Sequence, residues 1–211
     1  MPTVDGHYLE HRGPIRVSAG TTRALARRLW CGRMRAPDGL QQRANELAAQ
    51  VPAVPGRVHA LGRFEDGAAA LALSTCLPPS QAAVLRPQFE WYGCRGAGFH
   101  TDAHYDCVLF GAWCLAGPER EIVFARSGLR LACSAGELVV FDPFEPHAVL
   151  DAGRLHYARE HYVDSPGSIL LAFELELTAP LREEFGIAEP APDAFRISSA
   201  TAVNAETGAL G

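Results

Sequence analysis

Residues Gly136 to Val149 read GELVVFDPFEPHAV. Glu137 to Phe141 is a short β-branched and apolar run, opened by a glycine and stopped by Asp142-Pro143, as expected of a buried strand that ends in a turn. Pro143 and Pro146 bound that turn, and a second apolar run resumes at His147. The stretch therefore predicts strand, tight turn, strand, with His147 delivered to the start of the second strand.

The same texture extends to both sides. From residue 86 onward the runs QFEWYGC, CVLFGAWCL, REIVFAR, LRLAC, HAVL and SILLAFELEL follow one another, punctuated by AGP, RSG, SAG and DSPG. Many short strands at turn-marked spacing predict an all-β sandwich or barrel, the class that includes jelly rolls and cupins. Before residue 86 the patterns read as helical. Thr21 to Trp30 spaces Leu25 and Leu29 four apart, and Asp38 to Gln50 offers an Asp cap and a Leu40, Ala44, Leu47 stripe. The break at VPAVPG is followed by RVHALGRF, a candidate strand. GAAALALSTCL fits a buried helix or a buried strand, and SQAAVL reads as a further helical turn. The expected organisation is a helical portion over 1–86 packed on the core, a β core over 87–180, and a small, polar, mobile or loosely docked extension over 181–211.

Composition sets the outer limits. The chain has 211 residues, 48% hydrophobic and 20% charged, which suits one globular domain with a sizeable core. A net charge of −5 without a basic block gives no electrostatic footprint for nucleic acid. No apolar run approaches a membrane span and the N-terminus lacks a signal-type apolar core, so a soluble cytoplasmic protein is expected. Oligomeric state is unreadable. Cys31, Cys76, Cys94, Cys107, Cys114 and Cys133 form no CxxC pair, which favours reduced, mostly buried thiols. All 19 basic residues are arginine. Any cationic anchor for an anionic ligand must therefore be an arginine, and Schiff-base chemistry on a lysine is excluded.

Upstream of the quoted stretch, Gly98 to His104 read GFHTDAH directly after a predicted strand. In an extended chain, residues two apart share a face, so His100, Asp102 and His104 point the same way. An HxD with a distant histidine on a β framework is what a two-histidine, one-carboxylate facial triad requires, and such a triad suits Fe(II) and leaves positions open. His100, Asp102 and His147 are the candidate ligands. In a chain with eight histidines an HxD alone is weak; the strand-turn-His147 segment gives it weight.

At these residues, over about 88–177, the sequence resembles the 2-oxoglutarate- and Fe(II)-dependent dioxygenases, whose fold is a double-stranded β-helix. The resemblance implies that His100, Asp102 and His147 hold iron, and that Tyr92, in the WYGCRGAGFHTD lead-in, lies in the cosubstrate pocket. It also implies an arginine for the far carboxylate of 2-oxoglutarate, with Arg154 in HAVLDAGR first, Arg159 next, and Arg126 or Arg130 behind them. Here the chain departs from the pattern: SILLAFELEL contains no arginine, and a long connection, DAGRLHYAREHYVDSPG, precedes it. The implied activity is oxygenation of a small molecule by dioxygen, most simply hydroxylation, with release of succinate and CO2. Two alternatives stand beside it. A cupin-type metalloenzyme without 2-oxoglutarate would draw on His100, His104 and a glutamate such as Glu119 or Glu121. A non-catalytic β-sandwich binding module would make the histidines incidental.

Overall fold

The computed structural model describes residues 6–12, 16–18, 23–102, 105, 107–190, 192–198 and 200–211, with backbone alone at 16–18. In chain order the elements are β1 (His7–Glu10), β2 (Arg16–Ser18), β3 (Arg23–Ala24), β4 (Arg28–Arg33), α1 (Asp38–Ala48), β5 (Val58–Glu65), α2 (Gly67–Cys76) and α3 (Pro79–Ala82). Then follow β6 (Gln88–Cys94), β7 (Ala97–His100), β8 (Val108–Ala116), β9 (Arg120–Phe124), β10 (Arg130–Cys133), β11 (Glu137–Phe141), β12 (His147–Asp151), β13 (Ser168–Glu176), α4 (Ala179–Glu184) and β14 (Phe195–Ile197).

Among the described residues, seven strands form one sheet in the order β1-β4-β11-β8-β13-β6-β5, and four form a second in the order β10-β9-β12-β7. The eight strands β6 to β13 are shared between the two sheets, four in each, and their pairings in both are antiparallel. This is a double-stranded β-helix: mainly β, antiparallel, with helices on the outside. The HAVL run after the Pro-bounded turn is β12, as expected.

Period-two alternation explains why the central strands read as unbroken apolar runs. On β8, Leu109, Trp113 and Leu115 face outward into a core shared with α1 and α2, while Phe110, Ala112 and Cys114 face the space between the sheets. On β13, Ile169, Leu171 and Phe173 face outward, and Leu170 and Ala172 inward. Gly111 is the close-approach point of this outer layer, because a Cβ there would meet the Phe173 ring at 2.1 Å.

The N-terminal portion contains more strand than its pattern predicts. Arg23–Ala24 and Arg28–Arg33, within the stretch expected to be helical, are β3 and β4; Thr21 and Thr22 lie outside the described residues. The reason is tertiary. β4 lies between β1 and β11, with Leu29 buried on the inner side and Trp30 on the outer, so two-sided burial imitates a helical stripe. The stripe of α1 is as expected, with Leu40, Ala44 and Leu47 buried, although Pro37 takes the cap position and Asp38 the first turn. GAAALALSTC becomes helix α2, capped by Asp66, whose carboxylate accepts from the Ala69 amide at 2.8 Å.

The polar C-terminal stretch is docked at several points. Phe185 is fully buried and its carbonyl accepts from the Arg27 and Arg28 amides; β14 runs parallel to β2; and the Ala205 carbonyl accepts from the Phe99 amide on edge strand β7. A few buried anchors suffice here, and composition does not reveal them. Among the described residues no helix is long and apolar enough to cross a membrane.

Candidate metal centre

The turn between β11 and β12 is fixed by buried charge. Asp142 receives two hydrogen bonds from the Arg23 guanidinium, at 2.5 and 3.2 Å, and others from the Ala26 and Phe144 amides. Three residues on, Glu145 pairs with Arg126 at 2.9 Å, both side chains almost wholly buried. The acidic residues of DPFEP therefore clamp the turn that carries His147. The Asp102 amide donates to the Pro143 carbonyl at 2.8 Å, which ties the HxD loop to the same turn.

His147 and His100 are directly opposed in the pairing of β12 with β7, and their rings lie 4.5 Å apart. Each imidazole is oriented by a local backbone bond. Nδ1 of His147 donates to the Glu145 carbonyl and Nδ1 of His100 to the Gly98 carbonyl, both at 2.8 Å. That assignment leaves the Nε2 lone pair of each free. The two Nε2 atoms lie 3.5 Å (His147) and 3.9 Å (His100) from the carboxylate oxygens of Asp102. Burial is the main reason the His147 pKa falls to about 4, with the His100 ring reinforcing it, so this imidazole is neutral and able to donate a lone pair at neutral pH.

Three lone-pair donors all within 4.8 Å of one another, with none able to donate a proton to another, suit a cation at their centre. Ligand bonds of about 2.0–2.2 Å place neighbouring donors roughly 3–3.5 Å apart, so the set closes on a metal with small shifts. The residues fit Fe(II): two imidazoles, one carboxylate, one open side.

The three residues line a cavity of about 250 Å³ between the sheets, together with Tyr92, Tyr105, Phe110, Ile122, Phe141, Val149 and Leu170. Tyr92 is one of the residues that line it. Its hydroxyl donates to Glu90 at 2.9 Å and lies 3.0 Å from the Tyr105 hydroxyl. Burial is the main cause that raises its pKa.

The arginines are elsewhere. Arg154 is exposed beside Asp151 and His161, and Arg159 is exposed on the connection after β12; neither lines the cavity. Arg126 is paired with Glu145, and Arg130 with Glu121. The long connection is pinned by stacked Tyr157 and Tyr162, the latter accepting from the Asp151 amide. Of the alternative ligand set, His104 lies outside the described residues. Glu119 is exposed, and Glu121 is held by Arg130.

Sequence reasoning missed Arg120. It precedes Ile122 by two residues on β9 and so shares its inward face, one step deeper. Its five N–H groups are all committed: Nε to Asp151, Nη1 to the Cys94 carbonyl and Ser168, Nη2 to Ser165 and the Pro166 carbonyl. The available signal was a charged residue in phase with the inward positions of REIVF.

No protein-family profile matches the sequence, and no curated protein matches it. Solved structures do. A Pseudomonas putida prolyl-4-hydroxylase is 16% identical with a TM-score of 0.40, over 83% of this chain and 94% of that one. A 2OG-Fe(II) oxygenase family oxidoreductase from Burkholderia pseudomallei is 12% identical, TM-score 0.34, over 81% and 72%. A salicylate 1,2-dioxygenase from Pseudaminobacter salicylatoxidans is 13% identical, TM-score 0.33, over 72% of this chain, which spans 35% of its length.

Proposed function

We propose that this protein is a non-haem Fe(II) oxygenase acting on a small molecule held in the cavity between the sheets. The observation that carries the reading is the convergence of His100 Nε2, His147 Nε2 and the Asp102 carboxylate at the mouth of that cavity. Iron bound there supplies dioxygen activation at the positions that the protein leaves free. The chain's own part is orientation and exclusion of water. The backbone carbonyls of Gly98 and Glu145 hold the imidazole tautomers, the Arg23–Asp142 and Arg126–Glu145 pairs hold the turn, and the apolar wall keeps the reacting side dry.

The finer reading, with 2-oxoglutarate as cosubstrate, needs a cation for the far carboxylate. Among the described residues no arginine lines the cavity, and the chain has no lysine. The residues present fit the metal and do not fit the dicarboxylate, which favours the reading without 2-oxoglutarate.

The test is anaerobic reconstitution with Fe(II), followed by nitric oxide as a probe of open coordination positions. One iron per chain and a high-spin iron–nitrosyl signal, both lost in His147→Ala, are expected. A non-catalytic β-sandwich predicts no stoichiometric iron.

A further inference from the structure

The cavity walls specify the ligand more closely than the metal does. At about 250 Å³ the space lies below the roughly 300–1,000 Å³ of pockets for drug-sized ligands, so its occupant is small. Phe110, Ile122, Phe141, Val149 and Leu170 make most of it apolar. Its polar end is already self-satisfied. Glu90 is ion-paired with Arg63 at 3.2 Å and accepts from the Tyr92 hydroxyl, which lies 3.0 Å from the Tyr105 hydroxyl. The Tyr92 proton is thereby spent on the protein.

Positive charge stays outside. The deepest arginine, Arg120, has every donor engaged and Asp151 as its counter-ion, so a ligand carboxylate would have to displace existing bonds. Arg57 lines a separate, more open groove that meets the cavity at Val58, His100 and Asp102. A second carboxylate inside the cavity would be buried against largely apolar walls, with no guanidinium among the described lining residues to receive it.

We infer that the cavity takes a small bidentate oxygen chelator with one negative charge and an apolar body, in preference to a dicarboxylate. This rests on the metal reading: the chelating end faces His100, Asp102 and His147, and the apolar body fills the space toward Ile122 and Leu170.

Phenylpyruvate and 2-oxoglutarate share the chelating 2-oxo acid group and differ in the tail, which makes them matched probes. Iron stoichiometry of the anaerobic full-length protein is measured first. Each acid is then titrated into the Fe(II) protein, following the visible charge-transfer band and the heat of binding. Phenylpyruvate is expected to bind at least tenfold more tightly. Val58→Arg, which places a cation at the half-buried cavity margin, is expected to shift the ratio at least tenfold toward 2-oxoglutarate while iron is retained. Equal or tighter binding of 2-oxoglutarate to the wild type overturns the inference and leaves the metal reading standing; its loss in Arg57→Ala would then place the anchor in the groove. An unshifted ratio in iron-loaded Val58→Arg overturns charge as the selecting property. Failure to bind iron overturns both readings.

Discussion

At the scale of single residues, the site rests on two imidazoles whose tautomers are set by carbonyls two residues upstream, Gly98 for His100 and Glu145 for His147. The three donors have no proton to share, so each is needed for the cation. Loss of an outer partner alone weakens metal binding by about 10–100-fold, so loss of a direct ligand is expected to exceed that. Asp102→Ala should lower Fe(II) affinity by more than about 100-fold by competition with a chelating dye. A site built from His100 and His104 instead would keep its iron in that variant.

At the scale of elements, the β11–β12 turn is the part that positions His147, and it does so with buried ion pairs. Arg23 and Asp142 are 2% and 1% exposed, so removing one leaves the other charged and unpaired. Asp142→Ala is therefore expected to cost about 3–5 kcal/mol in denaturant unfolding. The double variant Arg23→Leu/Asp142→Leu should recover much of that stability, yet hold iron less well than wild type, because the turn loses its clamp. On β8, Gly111→Ala should destabilise by about 1–3 kcal/mol, since its methyl group enters the Phe173 ring, and a shifted melting temperature with unchanged iron content would report it.

At the scale of the whole molecule, acid sensitivity and the C-terminal strap are the testable features. His11 is buried against Phe124 and held by Ser127, and burial, aided by Arg126, lowers its pKa from 6.5 to about 4. Between those values the unfolded chain binds a proton that the folded chain refuses, so stability is full above pH 6.5 and falls as pH drops toward 4. The cost of His11 over that interval is at most about 3 kcal/mol. Metal-free His147 contributes in the same sense, so His11→Phe should remove about half of the acid slope in urea midpoints measured from pH 7 to pH 4. The strap covers the edge of β7 through Phe99 and Ala205, and Gly208 packs on Phe99 and Ala125. Deleting residues 195–211 is expected to lower the melting temperature and promote self-association by uncovering that edge, as read by light scattering.

How much of this was legible in the chain varied with how local the deciding physics is. Turn chemistry and two-residue alternation are properties of neighbours, so GELVVFDPFEPHAV and the runs around it determined the β class and the strand start at His147. The same alternation placed His100 and Asp102 on one face, and the strand-turn-His147 segment supplied a third candidate ligand; Tyr92 entered only through the family resemblance. That Leu29 marks a strand was settled only by β1 and β11 on either side of β4, because a strand buried on both faces loses its alternation, while Leu25 falls in the connection between β3 and β4. The anchor of a distal carboxylate was likewise beyond sequence. A guanidinium's role depends on which acceptors reach it in three dimensions, and the fold gave Arg120 five, left Arg154 and Arg159 exposed, and kept every described arginine out of the cavity lining.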